Sequence, residues 1–302
     1  MKKIIFVIFI IVAGYAVASF LFGFIKSGRD HSYIVAGKAP LIIAHGSSNQ
    51  LFPENTMLAF DGVVQFHPDV MEMDVVLTSD SVLITHHDPT INRLSNGAGK
   101  VVDYTYAEVS KFNFAHNFQD VAGNYVYRDS LVPPAVLEDV LAKYGRDYLF
   151  CIELKDYPTG IGQRAARELL RLLQKYNMEE RTMVACFDDD ILAYFRKISR
   201  GKTYMSSGKA LTKRFVVMNI CFAGNFFTHK CDALQIPVES DGFHLDGKRL
   251  IRTAHRKNMA VHYWTINDPI EMKRLMELGA DGIITDRPDL ADKVLREMGL
   301  RK

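Results

Sequence analysis

The chain has 302 residues, of which 48% are hydrophobic and 24% charged, and carries a net charge of +2. That balance excludes a chain too polar to fold and suits a globular protein with a full core. Lys2, Lys3, Lys26 and Arg29 against Asp30 account for the excess, so the remainder is near neutral and offers no basic footprint for nucleic acid.

In chain order, residues 4–25 hold no charged side chain and are long enough to span a bilayer, which takes roughly 20 apolar residues. A cleaved signal peptide is the competing reading, because Ala16-Val17-Ala18 resembles a small-residue cleavage site. Signal cores run only about 7–15 residues, whereas this one continues through Phe20, Leu21, Phe22 and Phe24. The sequence therefore predicts an uncleaved single-pass membrane anchor over residues 1–26. Similar positive charge on both flanks leaves its orientation open. Residues 27–40, with Gly28, Gly37 and Pro40, read as a polar tether.

From Leu41 onward apolar strand runs alternate with helical patterns, which predicts a parallel sheet covered by helices. Residues 41–302 are close in length to the ~250 of a (β/α)8 barrel. Pro53-Glu54-Asn55-Thr56 opens a helix reaching about Gln65, with Met57, Leu58, Phe60, Val63 and Val64 inward. Between Asp74 and His87 there is too little chain for a crossover helix, and Thr78-Ser79-Asp80-Ser81 reads as a hairpin turn. The expected fold is thus a distorted TIM barrel preceded by one transmembrane helix. A short helix at 106–114 leads into a long loop, 117–134, whose Phe118, Tyr125 and Tyr127 suggest a folded cap. Strand and helix then alternate to the C-terminus, with Gly279 as a helix C-cap and Pro288 opening the last helix. The apolar region 209–230 reads as a helix lying near the membrane. Four cysteines without CxxC spacing argue against a zinc site; Cys151 and Cys186 sit in core runs, and pairing of Cys221 with Cys231 is left open.

Chemistry collects at the strand ends: His45, Glu72, Asp74, His87, Glu153 and Lys155. Glu72 and Asp74 are two apart on one strand and so share a face. Three carboxylates converging on one mouth repel unless a cation sits between them. All-oxygen ligation by Glu72, Asp74 and Glu153 favours Mg²⁺ or Ca²⁺ over zinc. Flanking histidines suit general acid/base work, and Lys155 supplies a point charge for an anionic substrate. His86 and His87 face opposite ways, so His86 is read as structural. The residues alone point to a metal-dependent hydrolase acting on a phosphate ester.

The run from His45 through Pro53-Glu54-Asn55-Thr56, Glu72-x-Asp74, His87-Asp88-Pro89-Thr90, Arg93, Asn96-Gly97 and Gly99 resembles the glycerophosphodiester phosphodiesterase family. Glu153-Leu154-Lys155, the stretch His262-Tyr263-Trp264-Thr265 and the closing Thr285-Asp286-Arg287-Pro288 extend the resemblance over roughly residues 41–290. It implies a TIM barrel with a small insertion, here placed at about 111–134, and a divalent metal on Glu72, Asp74 and Glu153. His45 and His87 become the acid/base pair, with Lys155, Arg93 and Trp264 toward the substrate. The implied reaction starts with the glycerol 2-hydroxyl attacking phosphorus and ends with water opening a cyclic phosphate.

One departure stands out. The family pattern His-Arg-Gly is here His45-Gly46-Ser47, and loss of the Arg removes about 1.5–3 kcal/mol per charge-assisted bond. Arg93, Ser47, the Gly46 amide and Lys155 are the available substitutes. The leading substrate is a glycerophosphodiester. A lysophospholipid cleaved by a lysophospholipase D, a non-catalytic barrel holding phospholipid head groups and a cyclase that accumulates cyclic phosphate are the alternatives.

Overall fold

The computed structural model describes residues 2–34, 38–155 and 161–301. Residues 35–37 of the expected tether, Gly37 among them, lie outside the described residues. Helix α1 (Lys2–Phe22) carries no charged residue after Lys2 and Lys3, and none of it is buried. It is long and apolar enough to cross a bilayer.

The strands are β1 (Leu41–Ala44), β2 (Val70–Leu77), β3 (Leu83–Thr85), β4 (Leu149–Leu154), β5 (Thr182–Ala185), β6 (Tyr204–Met205), β7 (Ala233–Ile236), β8 (Glu239–Ser240), β9 (Phe243–His244), β10 (Ala260–Tyr263) and β11 (Gly282–Thr285). Between them run α2 (Met57–Val63), α3 (Tyr106–Val109), α4 (Leu137–Tyr144), α5 (Ile161–Lys175), α6 (Asp189–Ile198), α7 (Lys209–Ile220), α8 (Lys248–Arg256), α9 (Pro269–Leu278) and α10 (Pro288–Glu297). Eight strands pair in parallel in the order β6-β5-β4-β2-β1-β11-β10-β7, and a parallel bridge from Ser206 to Ala233 brings the two ends together. The result is a nearly closed TIM barrel. β3 folds back antiparallel on β2, which is the expected distortion.

All eight residues of β2 are buried because both of its faces are covered. Met71, Met73 and Val75 pack outward with the helices. Val70 joins Ile43, Cys151, Met183, Ala233 and Ala260 in a layer inside the barrel. Above that layer the inward positions turn polar: Glu72 and Asp74 on β2, Glu153 on β4, Gln235 on β7.

Several expectations are corrected. The polar tether is packed, not solvated. Tyr33 is fully buried in the inner layer, with its hydroxyl 2.6 Å from Phe150 O and 2.9 Å from Arg181 O. Small interior residues (Ala233, Ala260, Cys151) leave room that an aromatic ring fills. Upstream, Ser27 N and Gly28 N donate to Lys257 O, and the Lys257 ammonium donates to Phe22 O and Ile25 O beyond α1. Leu58, expected inward, is exposed while Ala59, Phe60 and Val63 are buried. The helix starts at Thr56, whose hydroxyl accepts from Ala59 N, and not at Pro53, which rotates the buried stripe. The helix expected at 106–114 ends at Val109. Asn113 leaves it to donate to Tyr127 O and Arg128 O, holding the folded insertion together. The hairpin β8–β9 was not expected. None of the four cysteines forms a disulfide.

Candidate active site

Register brings the acidic residues together. β2 and β4 pair with Asp74 opposite Glu153 and Glu72 opposite Cys151, so three carboxylates converge from two adjacent strands. One oxygen from each lies within 4.8 Å of the others. Glu72 and Asp74 are buried, and burial disfavours charge. Burial and the neighbouring Asp74 push the Glu72 carboxyl up to about 8. Burial also raises Glu153. Burial acts on Asp74 as well, but the positive charges of Lys155 and His87 hold it below its ordinary value. Lys155 Nζ is 2.8 Å from Asp74 and 2.9 Å from Glu153. Three acidic oxygen donors this close form a donor set that fits a hard divalent cation.

The two histidines arrive from separate turns and are oriented alike. His45 follows β1, and its Nδ1 is 2.7 Å from Asp286 at the end of β11. His87 follows β3, and its Nδ1 is 2.7 Å from Asp88. Each carboxylate fixes the ring and leaves Nε2 as the nitrogen for proton transfer. Burial opposes protonation of His45, yet the Asp286 hydrogen bond and the charges of Glu72, Asp286 and Asp74 raise it to about 9. A cavity of about 240 Å³ is lined by His45, Glu72, Asp74, His87, Glu153, Lys155 and Trp264 together with Phe187, Gln235 and Ser207. His86 is buried outside that lining, its Nε2 2.9 Å from Thr90 O and its ring edge-on to Phe114.

Comparison with known proteins agrees with this geometry. Residues 45–290 match the model of the glycerophosphoryl diester phosphodiesterase family. The chain belongs to that family. A glycerophosphodiester phosphodiesterase of Bacillus altitudinis is 29% identical over 85% of this chain and 98% of its own. Among solved structures, the glycerophosphoryl diester phosphodiesterase domain of a Mycobacterium tuberculosis protein superposes with a TM-score of 0.72 at 20% identity, covering 85% of this chain and 99% of that one. A phosphodiesterase of Oleispira antarctica in complex with the product sn-glycerol-3-phosphate superposes with a TM-score of 0.65 at 20% identity, over 85% and 97%.

Within this family frame the glycerophosphodiester phosphodiesterase pattern is bent at the turn after β1. Gly46 has φ +49°, and a Cβ there would lie 2.1 Å from Asn49 Oδ1. Its amide donates to Glu72 at 2.7 Å. The substitutes for the missing Arg mostly fall away. The Gly46 amide is committed to Glu72, and the Ser47 hydroxyl is buried without a partner. Arg93 is not brought to the cavity. Its Nε donates to Asp88 at 2.6 Å and its terminal nitrogens to Glu54 at 3.0 and 2.5 Å. Two carboxylates capture the guanidinium that was expected to bind substrate, so Arg93 acts on His87 through Asp88. Lys155 alone of the four substitutes lines the cavity.

Sequence reasoning missed Asp88, Asp286, Asn55 and Asn267 as parts of the site. Asn55 Nδ2 donates to Asp74 at 3.1 Å, and Asn267 Nδ2 donates to Asp286 at 2.7 Å. The available signals were the motifs of the resemblance, which contain Asn55, Asp88 and Asp286, and position: Asp88 directly follows His87, and Asp286 directly follows the last strand.

Proposed function

We propose that this chain is a membrane-anchored, divalent-cation-dependent phosphodiesterase that hydrolyses glycerophosphodiesters to an alcohol and glycerol 3-phosphate. The observation that carries the reading is the convergence of Glu72, Asp74 and Glu153 in one cavity with two histidines, each oriented by its own carboxylate. The family membership and a structural neighbour bound to sn-glycerol-3-phosphate support the substrate class.

Glu72, Asp74 and Glu153 would hold Mg²⁺ or Ca²⁺, which supplies Lewis-acid stabilisation of the negative charge that grows on the phosphoryl oxygens. The protein's own groups do the rest. The glycerol 2-hydroxyl attacks phosphorus, and one histidine takes its proton at Nε2 while the other protonates the departing alcohol oxygen. The new bond joins the 2-oxygen to phosphorus, and the broken one releases the alcohol. With the histidine roles exchanged, water adds to phosphorus and the 2-oxygen leaves as a hydroxyl, giving glycerol 3-phosphate. Asp286 and Asp88 hold the rings in place and stabilise whichever imidazolium forms. Lys155 brings a positive charge to the oxygens that the missing Arg would have met. Trp264 walls the substrate in. Helix α1 serves as the anchor.

The test is product release from glycerophosphocholine by the full chain, with Mg²⁺ or Ca²⁺ and with a chelator. We expect choline and glycerol 3-phosphate only with the ion, and a loss of about 10²–10⁴ in kcat for His45→Ala or His87→Ala. Binding of the diester without turnover in any variant would make the protein a head-group-binding barrel instead.

A further inference from the structure

The surface around the end of α1 is basic and partly apolar, and neither the core nor the catalytic site uses it. Tyr15, about two turns before the end of α1, donates to Phe222 O at 2.8 Å. Asn225 donates to the Ser19 hydroxyl at 2.9 Å, and Phe226 packs on Tyr15 and Phe22. The turn 221–227 therefore lies beside the last turns of the apolar helix. It joins α7 to β7, so it belongs to the N-terminal ends of the strands, opposite the catalytic cavity. Phe222 is 71% exposed there, and Ile220, just before it, 44%.

Five exposed cations surround this turn. α8 supplies Arg249, Arg252 and Arg256, whose spacing puts them on one helix face. Lys26 follows α1, and Lys230 precedes β7. The Arg249 guanidinium lies 4.1 Å from the centre of the Phe222 ring and donates to Asn219 Oδ1 at 3.3 Å. Arg256 donates to Asn225 Oδ1 at 3.0 Å. Lys26 donates to Arg256 O and Lys230 to Lys26 O, both at 2.8 Å. Every one of these acceptors is neutral, and among the described residues none of the five forms an ion pair. Arg29, on the same end of the barrel, is by contrast matched by Asp232. Burial and the charges of Lys26 and Arg256 lower the neighbouring Lys257 ammonium to about 8, so like charges crowd here without a counter-ion. The barrel as a whole is near neutral, which makes the patch a local asymmetry.

We propose that this end of the barrel docks on the anionic leaflet from which α1 emerges. Phe222 enters the boundary between head groups and acyl chains, and the five cations meet lipid phosphates and carboxylates. The inference rests on α1 as the proposed anchor and adds what a single span does not fix, the direction in which the barrel faces. Continuity of the patch with α1 makes its partner the bilayer, since the end of the span holds the patch at head-group level. The catalytic cavity stands at the other ends of the same strands. A docked floor therefore turns the mouth away from the bilayer, and diesters reach it from water.

Cys221, next to Phe222, is exposed, whereas Cys151, Cys186 and Cys231 are buried, so the native chain carries its own reporter. The full chain is placed in nanodiscs of phosphatidylcholine with or without phosphatidylserine, and labelling of Cys221 by an uncharged, water-soluble maleimide is timed. We expect slower labelling in the anionic discs, restored by high salt. That protection should fall about fivefold for each of Arg249→Gln, Arg252→Gln and Arg256→Gln, the equivalent of ~1 kcal/mol per basic side chain. Arg252→Gln alters an exposed helix position and leaves the fold intact. A label on Val121→Cys, in the exposed insertion at the catalytic end of a Cys221→Ser chain, should attach equally fast in both discs. Equal labelling of Cys221 in the two lipids, in a chain that resists alkaline carbonate extraction, would overturn the docking and leave the anchor intact. Protection that follows protein density in place of lipid charge would give this face to a second copy and overturn the docking as well. Protection of the Val121→Cys label in place of Cys221 would turn the barrel over and have the same effect. Cys221 protection on anionic vesicles, in a chain that carbonate releases, would overturn the anchor and keep the docked floor.

Discussion

Three carboxylates stand at each end of this barrel, and they are treated in opposite ways. At the N-terminal ends of the strands Asp69, Asp232 and Asp281 each accept a backbone N–H from a strand, Ile42, Met205 and Val261 respectively, at 2.8 to 2.9 Å. Each also meets a cation or imidazole: Arg301 for Asp69, Arg29 for Asp232, His255 for Asp281. At the C-terminal ends Glu72, Asp74 and Glu153 face one another with Lys155 shared between two of them. The floor gives each carboxylate its own backbone N–H and its own cation or imidazole, although burial still raises Asp69 above its ordinary value. The rim sets its carboxylates against one another, so that one of them, Glu72, holds a proton up to about 8. A carboxylate at either end does not mean one role; the partners decide.

The largest effect expected from this contrast is at the rim. Glu72→Gln should lower kcat/KM by more than the ~10–100-fold typical of an outer-shell partner, since it removes a cation ligand outright. In chelator above about pH 8, where Glu72 is ionised, the same variant should melt higher than wild type, because a buried repulsion is gone. A variant that loses both activity and metal-free stability would show that Glu72 is a structural residue. On the floor the signs reverse. Asp232→Ala strands Met205 N and Arg29 N, leaves the Arg29 guanidinium only the Lys202 and Thr203 carbonyls, and should cost about 1.5–3 kcal/mol in a denaturant titration. Its kcat should stay at the wild-type value, and a fall in kcat would erase the distinction between the two ends.

How much of this could be read from the residues follows from how far each decision reaches. Glu72 and Asp74 were legible because strand alternation is local, and two residues apart on one strand must share a face. Glu153 was legible as another strand end. The partner of His45 was not, because Asp286 lies 241 residues away, whereas Asp88 stands next to His87 in the chain. Arg93 was misplaced for the same reason: Glu54, 39 residues earlier, captures its guanidinium. Tyr33 was hidden in a stretch that reads as polar tether, since only the closed barrel creates the space its ring fills. The turn beside α1 was partly visible in the apolar stretch 209–230, but the arginines around it come from α8, which reads as an ordinary surface helix.

A smaller effect separates the residues that touch substrate from those that position them. Burial opposes ionisation of Asp88, yet hydrogen bonds from Arg93 and His87 hold its carboxyl down to about 2. Asp88→Asn should lower kcat about 10–100-fold with KM nearly unchanged, as an outer-shell loss does. Arg93→Met should follow it in the same direction, less steeply, because Asp88 keeps its bond to His87. Equal loss in KM for Arg93→Met would instead return Arg93 to direct substrate contact.

The smallest effect is thermal, and its sign is opposite to common acid denaturation. Burial and Asp74 raise Glu72 from an ordinary 4.5 to about 8, so in the fold it keeps a proton that the unfolded chain releases. Carboxylate hydrogen bonding and charge outweigh burial at His45 and raise it from 6.5 to about 9, with the same consequence. Between about pH 6.5 and 8 these two groups make the folded state bind more protons than the unfolded one, so stability falls as pH rises. Below that interval His31, His86 and His262, lowered by burial, work the other way, and above it Lys257, lowered by burial to about 8, does. For Glu72 the contribution is full below about 4.5 and gone above about 8; for His45 it is full below about 6.5 and gone above about 9. Asp74, held low by Lys155 against its burial, works the other way only below its ordinary 3.8 and does not enter. The Tm in chelator should therefore drop on the order of a few degrees between about pH 6.5 and pH 8. With saturating Mg²⁺ or Ca²⁺ the drop should vanish or reverse, since the ion binds the deprotonated carboxylates and gains affinity as they ionise. A metal-free Tm that climbs with pH over that range would mean that the rim carboxylates are compensated as fully as those of the floor.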